Sequence, residues 1–273
     1  MNRLVTGILF VTLLTACTTN NITEDKSLEK YFTENNVTGT FGLFDNAKGQ
    51  FTIYNTTRFT DSVYLPASTF KILNSLIGLE TGIVNDSSTV IEWDSIQRGR
   101  PECDTSLMMW DAFRLSCPPW YQEMARRVGK ERMQHWLDTL GYAQRYDTFS
   151  IRNNLDTFWL DNSAKVTADE QMGIVKRLYF DQLPFYKRSQ RIVRNMMLWE
   201  DNANYQLSYK TGWGITENNH ALGWITGWIV ENKHPYFFVL QLESADRNYN
   251  MSAVRLKILK DILKQLGFME GRK

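Results

Sequence analysis

The sequence predicts an α/β fold with two lobes, in which an antiparallel β-sheet flanked by helices lies beside an all-α lobe. Three observations predict it: strand patterns occupy both ends of the chain, a long helical stretch separates them, and an amphipathic helix closes the sequence. The chain has 273 residues, of which 43% are apolar, which suffices for one compact domain with a large core.

The strands come first along the folded part of the chain. Residues 37–43 and 50–54 alternate apolar and polar side chains around a turn that ends in Gly49, which predicts a hairpin. A helical middle follows over residues 66–200. It is rich in Met, Leu and Trp and is interrupted at Gly82, Pro101, Pro118, Pro119, Gly141 and Pro184.

The second half of the sheet is predicted from the C-terminal third of the chain. Strand patterns return at residues 205–212, 221–230 and 236–243. A final helix is predicted over 252–266, because apolar residues recur there at helical spacing and Gly267 occupies a C-cap position. We therefore expect both chain ends to build the sheet and the middle to build the helical lobe.

The N-terminus has the pattern of a targeting segment. A short positive region precedes an apolar run from Leu4 to Leu14, which is too short to span a bilayer stably. Residues 1–17 are interpreted as a lipoprotein-type signal peptide ending at Cys17, the predicted site of lipidation, and residues 18–26 as a polar tether. The main folded domain then covers 27–273. Ordinary secretion with cleavage elsewhere is the alternative, and both interpretations place the mature protein outside the cytoplasm. The lipoprotein interpretation predicts a periplasmic protein that contacts the membrane only through the lipid anchor on Cys17.

The two remaining cysteines are predicted to be free, buried thiols. Export would permit a disulfide between Cys103 and Cys117. However, residues 104–115 have a helical pattern, with Asp104 as a plausible N-cap. Twelve helical residues separate their ends by roughly 18 Å, whereas a disulfide needs Cα atoms within about 7 Å.

The overall charge excludes one class of partner. The net charge is +1 and the isoelectric point is about 7.7, so the chain lacks the strongly basic balance of a nucleic-acid-binding protein.

A serine and a lysine share one face of a predicted helix start. Ser68 follows Pro66, which is favoured in a first helical turn, so free backbone N–H groups surround the serine hydroxyl. Lys71 lies three residues further on, and the helix after it is apolar nearly all round. Burial favours a neutral amine. The pair is therefore predicted to be a nucleophile beside its base, and a surface serine and lysine on a core helix is the alternative.

Two further motifs supply the other groups that a serine acyl-transfer enzyme needs. The hydroxyl of Ser116 is predicted to lie between Lys71 and Lys210 and to carry a proton from the base to the leaving amine. The alternative is that Ser116 simply caps a helix before Pro118. Lys210, Thr211 and Gly212 close a strand, where Lys210 is predicted to supply a fixed positive charge and Thr211 a hydroxyl for a carboxylate. The backbone N–H groups of Ser68 and Trp213 are candidate oxyanion donors. An ordinary exposed strand end is the alternative.

These motifs together make the sequence similar to the class D β-lactamases, the oxacillinases. The residues that carry the resemblance are Ser68-Thr69-Phe70-Lys71, Trp93-Asp94, Tyr121-Gln122-Glu123, Phe158-Trp159-Leu160-Asp161, Ser189-Gln190-Arg191-Ile192-Val193 and Lys210-Thr211-Gly212. The resemblance implies a serine β-lactamase/penicillin-binding fold and hydrolysis of penicillin-type antibiotics, hence antibiotic resistance. It implies no metal. It also implies that Lys71 is carbamylated by carbon dioxide as N6-carboxylysine, with the Trp159 indole bonded to the carbamate, and no other cofactor.

The sequence departs from the family pattern at three places. Cys117 and Pro118 follow Ser116 where the family usually ends the motif in Val, and residues 146–148 read Tyr-Asp-Thr instead of Tyr-Gly-Asn. Residues 213–222 contain no arginine to hold the drug's carboxylate. The next arginine along the chain is Arg247, which is a candidate for that role, although it could simply pair with Asp246.

Two other activities share part of this pattern. A penicillin-binding D,D-peptidase shares the Ser-x-x-Lys and Lys-Thr-Gly motifs but has no need of Trp159. A non-hydrolytic β-lactam sensor domain would be acylated without turnover, and such sensors hang from a transmembrane signalling region.

Overall fold

The computed structural model describes residues 21–145 and 149–273, so Cys17, the signal peptide and the Tyr-Asp-Thr stretch at 146–148 lie outside the described residues. The helices and strands in chain order are β1 (Ile22–Glu24), α1 (Glu29–Thr33), β2 (Thr38–Asp45), β3 (Gln50–Tyr54), α2 (Thr56–Asp61), α3 (Lys71–Glu80), β4 (Val90–Ile91), β5 (Leu107–Met108), α4 (Met109–Arg114), α5 (Pro118–Val128), α6 (Lys130–Leu140), α7 (Ala168–Tyr179), α8 (Lys187–Met197), β6 (Leu198–Asp201), β7 (Gln206–Ile215), β8 (Ala221–Glu231), β9 (His234–Ser244) and α9 (Met251–Gln265).

The main sheet has the strand order β1-β3-β2-β9-β8-β7-β6 within the described residues. The hairpin of β2 and β3 and the meander of β7, β8 and β9 are antiparallel, as the sequence predicts. Strands from the two chain ends meet in the pairing of β2 with β9, where Phe41 lies opposite Leu240. The predicted two-lobed fold is therefore confirmed, because the distant ends of the chain complete one sheet.

Two hydrophobic clusters lie on opposite faces of this sheet. One joins α1 and α9 to the strands through residues such as Phe32, Ile225 and Ile258. The other contains the helical lobe and the opposite sheet face, and includes Phe70, Trp159 and Trp224. Within the described ranges, no helix is long and apolar enough to cross a membrane.

Residues 18–26 were predicted to be a polar tether, but part of this segment is a β-strand in the structure. Ile22–Glu24 forms the edge strand β1, which pairs in parallel with β3, and the backbone N–H of Asp25 donates to Ile53 O over 2.8 Å. The segment is short and polar, but its backbone groups form hydrogen bonds with β3 at the edge of the sheet. Amino-acid composition alone does not predict this pairing.

The prediction of two free thiols is wrong, because Cys103 and Cys117 form a disulfide with their Cα atoms 5.5 Å apart. The helix expected over 104–115 is limited to Met109–Arg114. The preceding residues form a turn and the short strand β5, which pairs with β4 and lets the chain reverse. A second reversal follows at Ser116, whose φ is 56°, and it brings Cys117 back to Cys103.

Candidate active site

Ser68 lies in a 3-10 turn, Ala67–Phe70, that runs directly into α3. The turn begins in a strained conformation, since Ala67 has a φ of 49°, a region that non-glycine residues seldom adopt. Its backbone is held from outside, because the N–H of Ala67 donates to Trp159 O over 2.9 Å. Strain that the surroundings maintain in this way is common at functional sites.

Lys71 is fully buried beneath this turn, and its Nζ donates to Ser68 Oγ over 2.9 Å. Burial, and next the positive charge of Arg100, lower the pKa of Lys71 from 10.5 to about 7. A substantial fraction of the amine is therefore neutral near neutral pH. In that form it can accept the proton of the serine hydroxyl.

Trp159 is fully buried in an aromatic cluster beside the same turn. Its ring stacks on Phe70 at 5.3 Å between centroids and meets Phe158 edge-on at 5.0 Å. Its Nε1 is one of few buried side-chain polar atoms in the described ranges that have no hydrogen-bond partner. A buried donor without a partner costs about 1–3 kcal/mol, so this N–H is suited to an acceptor that the folded chain does not itself supply.

Ser116 and Lys210 face each other across the site, with Ser116 Oγ in hydrogen-bond contact with Lys210 Nζ. Lys210 is buried on β7 and also donates to Thr211 O over 3.1 Å. Burial, followed by the charges of Lys71 and Arg255, lowers the pKa of Lys210 well below its usual value. This environment opposes the fixed positive charge that the sequence predicts for Lys210.

The edge of β7 lies directly against the turn that carries Ser68. A Cβ atom on Gly212 would be 3.1 Å from Pro66 O and 3.3 Å from Thr69 Cγ2, and one on Gly214 would be 2.9 Å from Leu65 Cδ1. Glycine at both positions thus permits the close approach of strand and turn. Thr211 and Trp213, which flank Gly212, line the same cleft as Ser68.

The cleft has a volume of about 680 Å³ and runs between the two lobes. Its described lining includes no Asp or Glu but two arginines; the lining residues are Ser68, Arg100, Leu115, Ser116, Pro118, Leu160, Thr211, Trp213, Gly214, Ile215, Ser252 and Arg255. Positively charged side chains without an opposing carboxylate in the wall favour an anionic ligand.

Arg255 is a cleft residue that the sequence analysis missed. It projects from α9 and its Nη1 donates to Gly212 O over 2.7 Å. Burial lowers its pKa to about 10, so it stays charged at neutral pH. A signal was present, because Arg255 precedes Ile258 and Leu259 by three and four residues and so lies on the apolar face of its helix.

The structure does not place Arg247 in the cleft. This side chain is exposed and donates to Asn219 Oδ1 in the turn between β7 and β8. Residues after β9 first pass that turn at the end of the sheet. The following helix, α9, packs back against the sheet, mainly on β8, and from there the side chain of Arg255, eight residues after Arg247, reaches Gly212 of β7.

The chain matches the penicillin-binding protein transpeptidase domain over residues 23–264. It is 35% identical to the β-lactamase OXA-48 of Klebsiella pneumoniae over 243 residues, which is 89% of this chain and 88% of that protein.

Solved structures agree with this match. A class D β-lactamase from Nostoc superposes with a TM-score of 0.83 at 32% identity, covering 89% of this chain and 99% of the other. The C-terminal domain of the Bacillus licheniformis BlaR penicillin receptor superposes with a TM-score of 0.82 at 26% identity, covering 90% of this chain and 97% of that domain.

Proposed function

Since this chain belongs to the class D serine β-lactamases, within the penicillin-binding protein transpeptidase family, we propose that it hydrolyses penicillin-type antibiotics through an acyl-enzyme on Ser68. The contact between Ser68 Oγ and Lys71 Nζ carries the proposal, because it joins a nucleophile to a base whose pKa is lowered to about 7.

The ring-opening step uses the residues around this pair. Lys71 Nζ takes the proton from Ser68 Oγ, which bonds to the lactam carbonyl carbon. The backbone N–H groups of Ser68 and Trp213 stabilise the resulting oxyanion, and one such donor is typically worth about 2.7–4 kcal/mol. As the C–N bond breaks, the proton that Lys71 took from Ser68 passes through the Ser116 hydroxyl, which is in contact with Lys210 Nζ, to the lactam nitrogen. Lys71 is then neutral again and can accept a proton from the deacylating water.

The drug's ring carboxylate is proposed to bind between Thr211 and Arg255. Both residues line the cleft, and the guanidinium of Arg255 stays charged at neutral pH. Its contact with Gly212 O ties the cation to the strand that also positions Lys210. Arg255 thus takes the role that the sequence suggested for Arg247.

The residues around Lys71 also fit the carbamate that the family resemblance implies. Carbon dioxide adds only to a neutral amine, which burial of Lys71 favours, and Trp159 Nε1 is a buried donor without a partner in the described structure. When bound, the group supplies a carboxylate-like base for both acylation and deacylation, with Lys71 holding it and Trp159 as its donor. Added bicarbonate should then raise activity at mildly acid pH, and a carbon-13 carbamate signal should be detectable.

Location in the cell belongs to the same proposal. The apolar run before Cys17 supports export and lipid anchoring through Cys17. An oxidising compartment would also favour the disulfide of Cys103 with Cys117. In a cell fractionation, the full chain should enter the membrane fraction, whereas Cys17→Ser should release the protein into the soluble periplasm or block its processing.

A β-lactam sensor is the second candidate, because the BlaR penicillin receptor domain shares the fold over 90% of this chain. Steady-state hydrolysis of a chromogenic cephalosporin and a penicillin separates the candidates. Many turnovers per protein molecule support the β-lactamase, and one equivalent of product supports the sensor. Cleavage of a peptide ending in D-Ala-D-Ala with little β-lactam turnover supports the D,D-peptidase.

A further inference from the structure

Arg100 is a second arginine of the cleft, and the proposed ring-opening steps do not use it. It belongs to the loop between β4 and β5 and lines the same cleft as Ser68 and Ser116. Its Nη2 donates to Leu115 O over 3.0 Å and its Nε donates to Glu102 Oε1 over 2.9 Å. These contacts fix the guanidinium beside the segment that carries Ser116.

The backbone of this loop is fastened to the same segment. Arg100 O accepts the N–H groups of Cys103 and Asp104 at 2.7 and 2.9 Å, so the loop closes tightly just after Arg100. The disulfide then joins Cys103 to Cys117, the neighbour of Ser116. Both the side chain and the backbone of Arg100 are therefore tied to the wall of the cleft.

The charge of Arg100 acts inside the cleft. It is the second cause, after burial, of the lowered pKa of Lys71. Glu102 pairs with this charge but is not one of the cleft-lining residues. Neither residue is deeply buried, with exposed side-chain fractions of 44% for Arg100 and 46% for Glu102. A ligand anion within the cleft would therefore gain from Arg100, although water and salt would moderate the gain.

In the proposed function, the ring carboxylate of a β-lactam binds Arg255, so the second cleft arginine, Arg100, has no substrate group assigned to it. We propose that Arg100, held in place by the disulfide between Cys103 and Cys117, is a specificity-determining residue that favours β-lactams with a second anionic group. This inference rests on the proposed function, because it concerns which β-lactams enter the same cleft.

The test compares two penicillins that differ by one carboxylate: benzylpenicillin and its analogue with a carboxylate on the benzylic carbon. Arg100→Gln should lower kcat/KM for the doubly charged compound by roughly fivefold or more, mostly by raising KM. The same substitution should change kcat/KM for benzylpenicillin by less than about twofold. Arg100→Lys should retain part of the preference.

Arg98→Gln is the matched control. Arg98 lies in the same loop and pairs with Asp94 instead of lining the cleft, so neither substrate should respond to this change. An equal loss on both penicillins with Arg100→Gln, or no loss on either, would overturn the inference. Absence of turnover of both compounds by the unaltered enzyme would instead overturn the proposed function.

The role of the disulfide has its own measurement. The double variant Cys103→Ser, Cys117→Ser should lose the preference for the doubly charged penicillin while it still hydrolyses benzylpenicillin. If the double variant keeps the full preference, the disulfide does not hold Arg100 in place and that part of the inference is wrong. Should the double variant fail to fold, the unaltered enzyme after reduction with dithiothreitol takes its place, and a full preference kept after reduction would equally contradict the role of the disulfide.

Discussion

At the scale of single residues, Lys71 is an ionisable side chain that is fully buried. Its pKa of about 7 predicts the pH dependence of acylation. As pH falls through about 7, the amine becomes protonated and can no longer accept the proton of Ser68. The rate of Ser68 acylation, measured by stopped-flow mixing with a penicillin in buffer depleted of carbon dioxide so that Lys71 stays an amine, should fall over that window. A rate that is flat from pH 6 to about 9 would contradict Lys71 as the base.

The same burial carries a cost in stability, and its sign follows from linkage. Because folding lowers the pKa of Lys71, the unfolded chain binds more protons between about 7 and 10.5. The penalty is therefore fully present below pH 7 and is relieved as pH rises through that window. Lys71→Met should abolish turnover and raise the free energy of unfolding below pH 7 by roughly 1–4 kcal/mol, the gain found when buried ion pairs are replaced by apolar residues.

Chemical denaturation of both proteins at several pH values checks this result. The stability advantage of Lys71→Met should shrink as pH rises above 7, because only the unaltered protein gains from deprotonation of this lysine. An advantage that grows with pH would give the opposite sign and contradict the assigned environment of Lys71.

Trp159 allows the indole N–H to be separated from the aromatic packing. Trp159→Phe keeps a ring against Phe70 and Phe158 but removes the donor that lacks a partner. We expect deacylation to slow more than acylation, so that the acyl-enzyme accumulates and intact mass spectrometry detects it during turnover. Equal slowing of both steps would indicate that Trp159 contributes packing alone.

At the scale of secondary-structure elements, the site depends on how closely β7 approaches the turn before α3. Gly212→Ala places a methyl group 3.1 Å from Pro66 O, a backbone atom that cannot move without the Ser68 turn. We expect a loss of kcat/KM of at least about tenfold, because misplacement of a reacting group by about 1 Å can cost far more.

Gly173→Ala is the matched control, since a Cβ there has nothing within 4 Å in the middle of α7. That change should leave kinetics unaltered and raise the free energy of unfolding by about 0.4–1 kcal/mol. Full activity of Gly212→Ala would show that the strand and turn are not as closely packed as the structure indicates.

Some secondary-structure elements could be predicted from sequence patterns and others could not. The strand around Lys210 and the helix carrying Lys71 were predicted, because apolar periodicity reports which side of an element is buried. The predicted strand end at Gly212 was wrong, since β7 continues to Ile215 and Lys210, Thr211 and Gly212 lie inside it. The segment from Asp104 to Leu115 was predicted wrongly, since its short strand and late helix depend on pairing with β4. Arg255 was missed for a related reason: only the fold shows that the apolar face of α9 passes the end of the cleft.

At the scale of the whole molecule, the cleft forms where two lobes meet. Ser68 and Ser116 belong to the helical middle of the chain, whereas Lys210 and Arg255 come from its C-terminal part. The motifs at Ser68 and Lys210, more than a hundred residues apart in the chain, were sufficient to predict the reaction. Their spacing does not predict which arginine lies opposite them in the cleft. The fold supplies that information through the pairing of β7 with β8 and the docking of α9.

The central claim is that Ser68 forms an acyl-enzyme that water then resolves, and time-resolved intact mass spectrometry with a penicillin tests it most directly. The account predicts an adduct of the drug's mass that appears, then disappears while many equivalents of hydrolysed product accumulate, and no adduct at all on Ser68→Ala. An adduct that persists with one equivalent of product, or labelling that survives in Ser68→Ala, would contradict it.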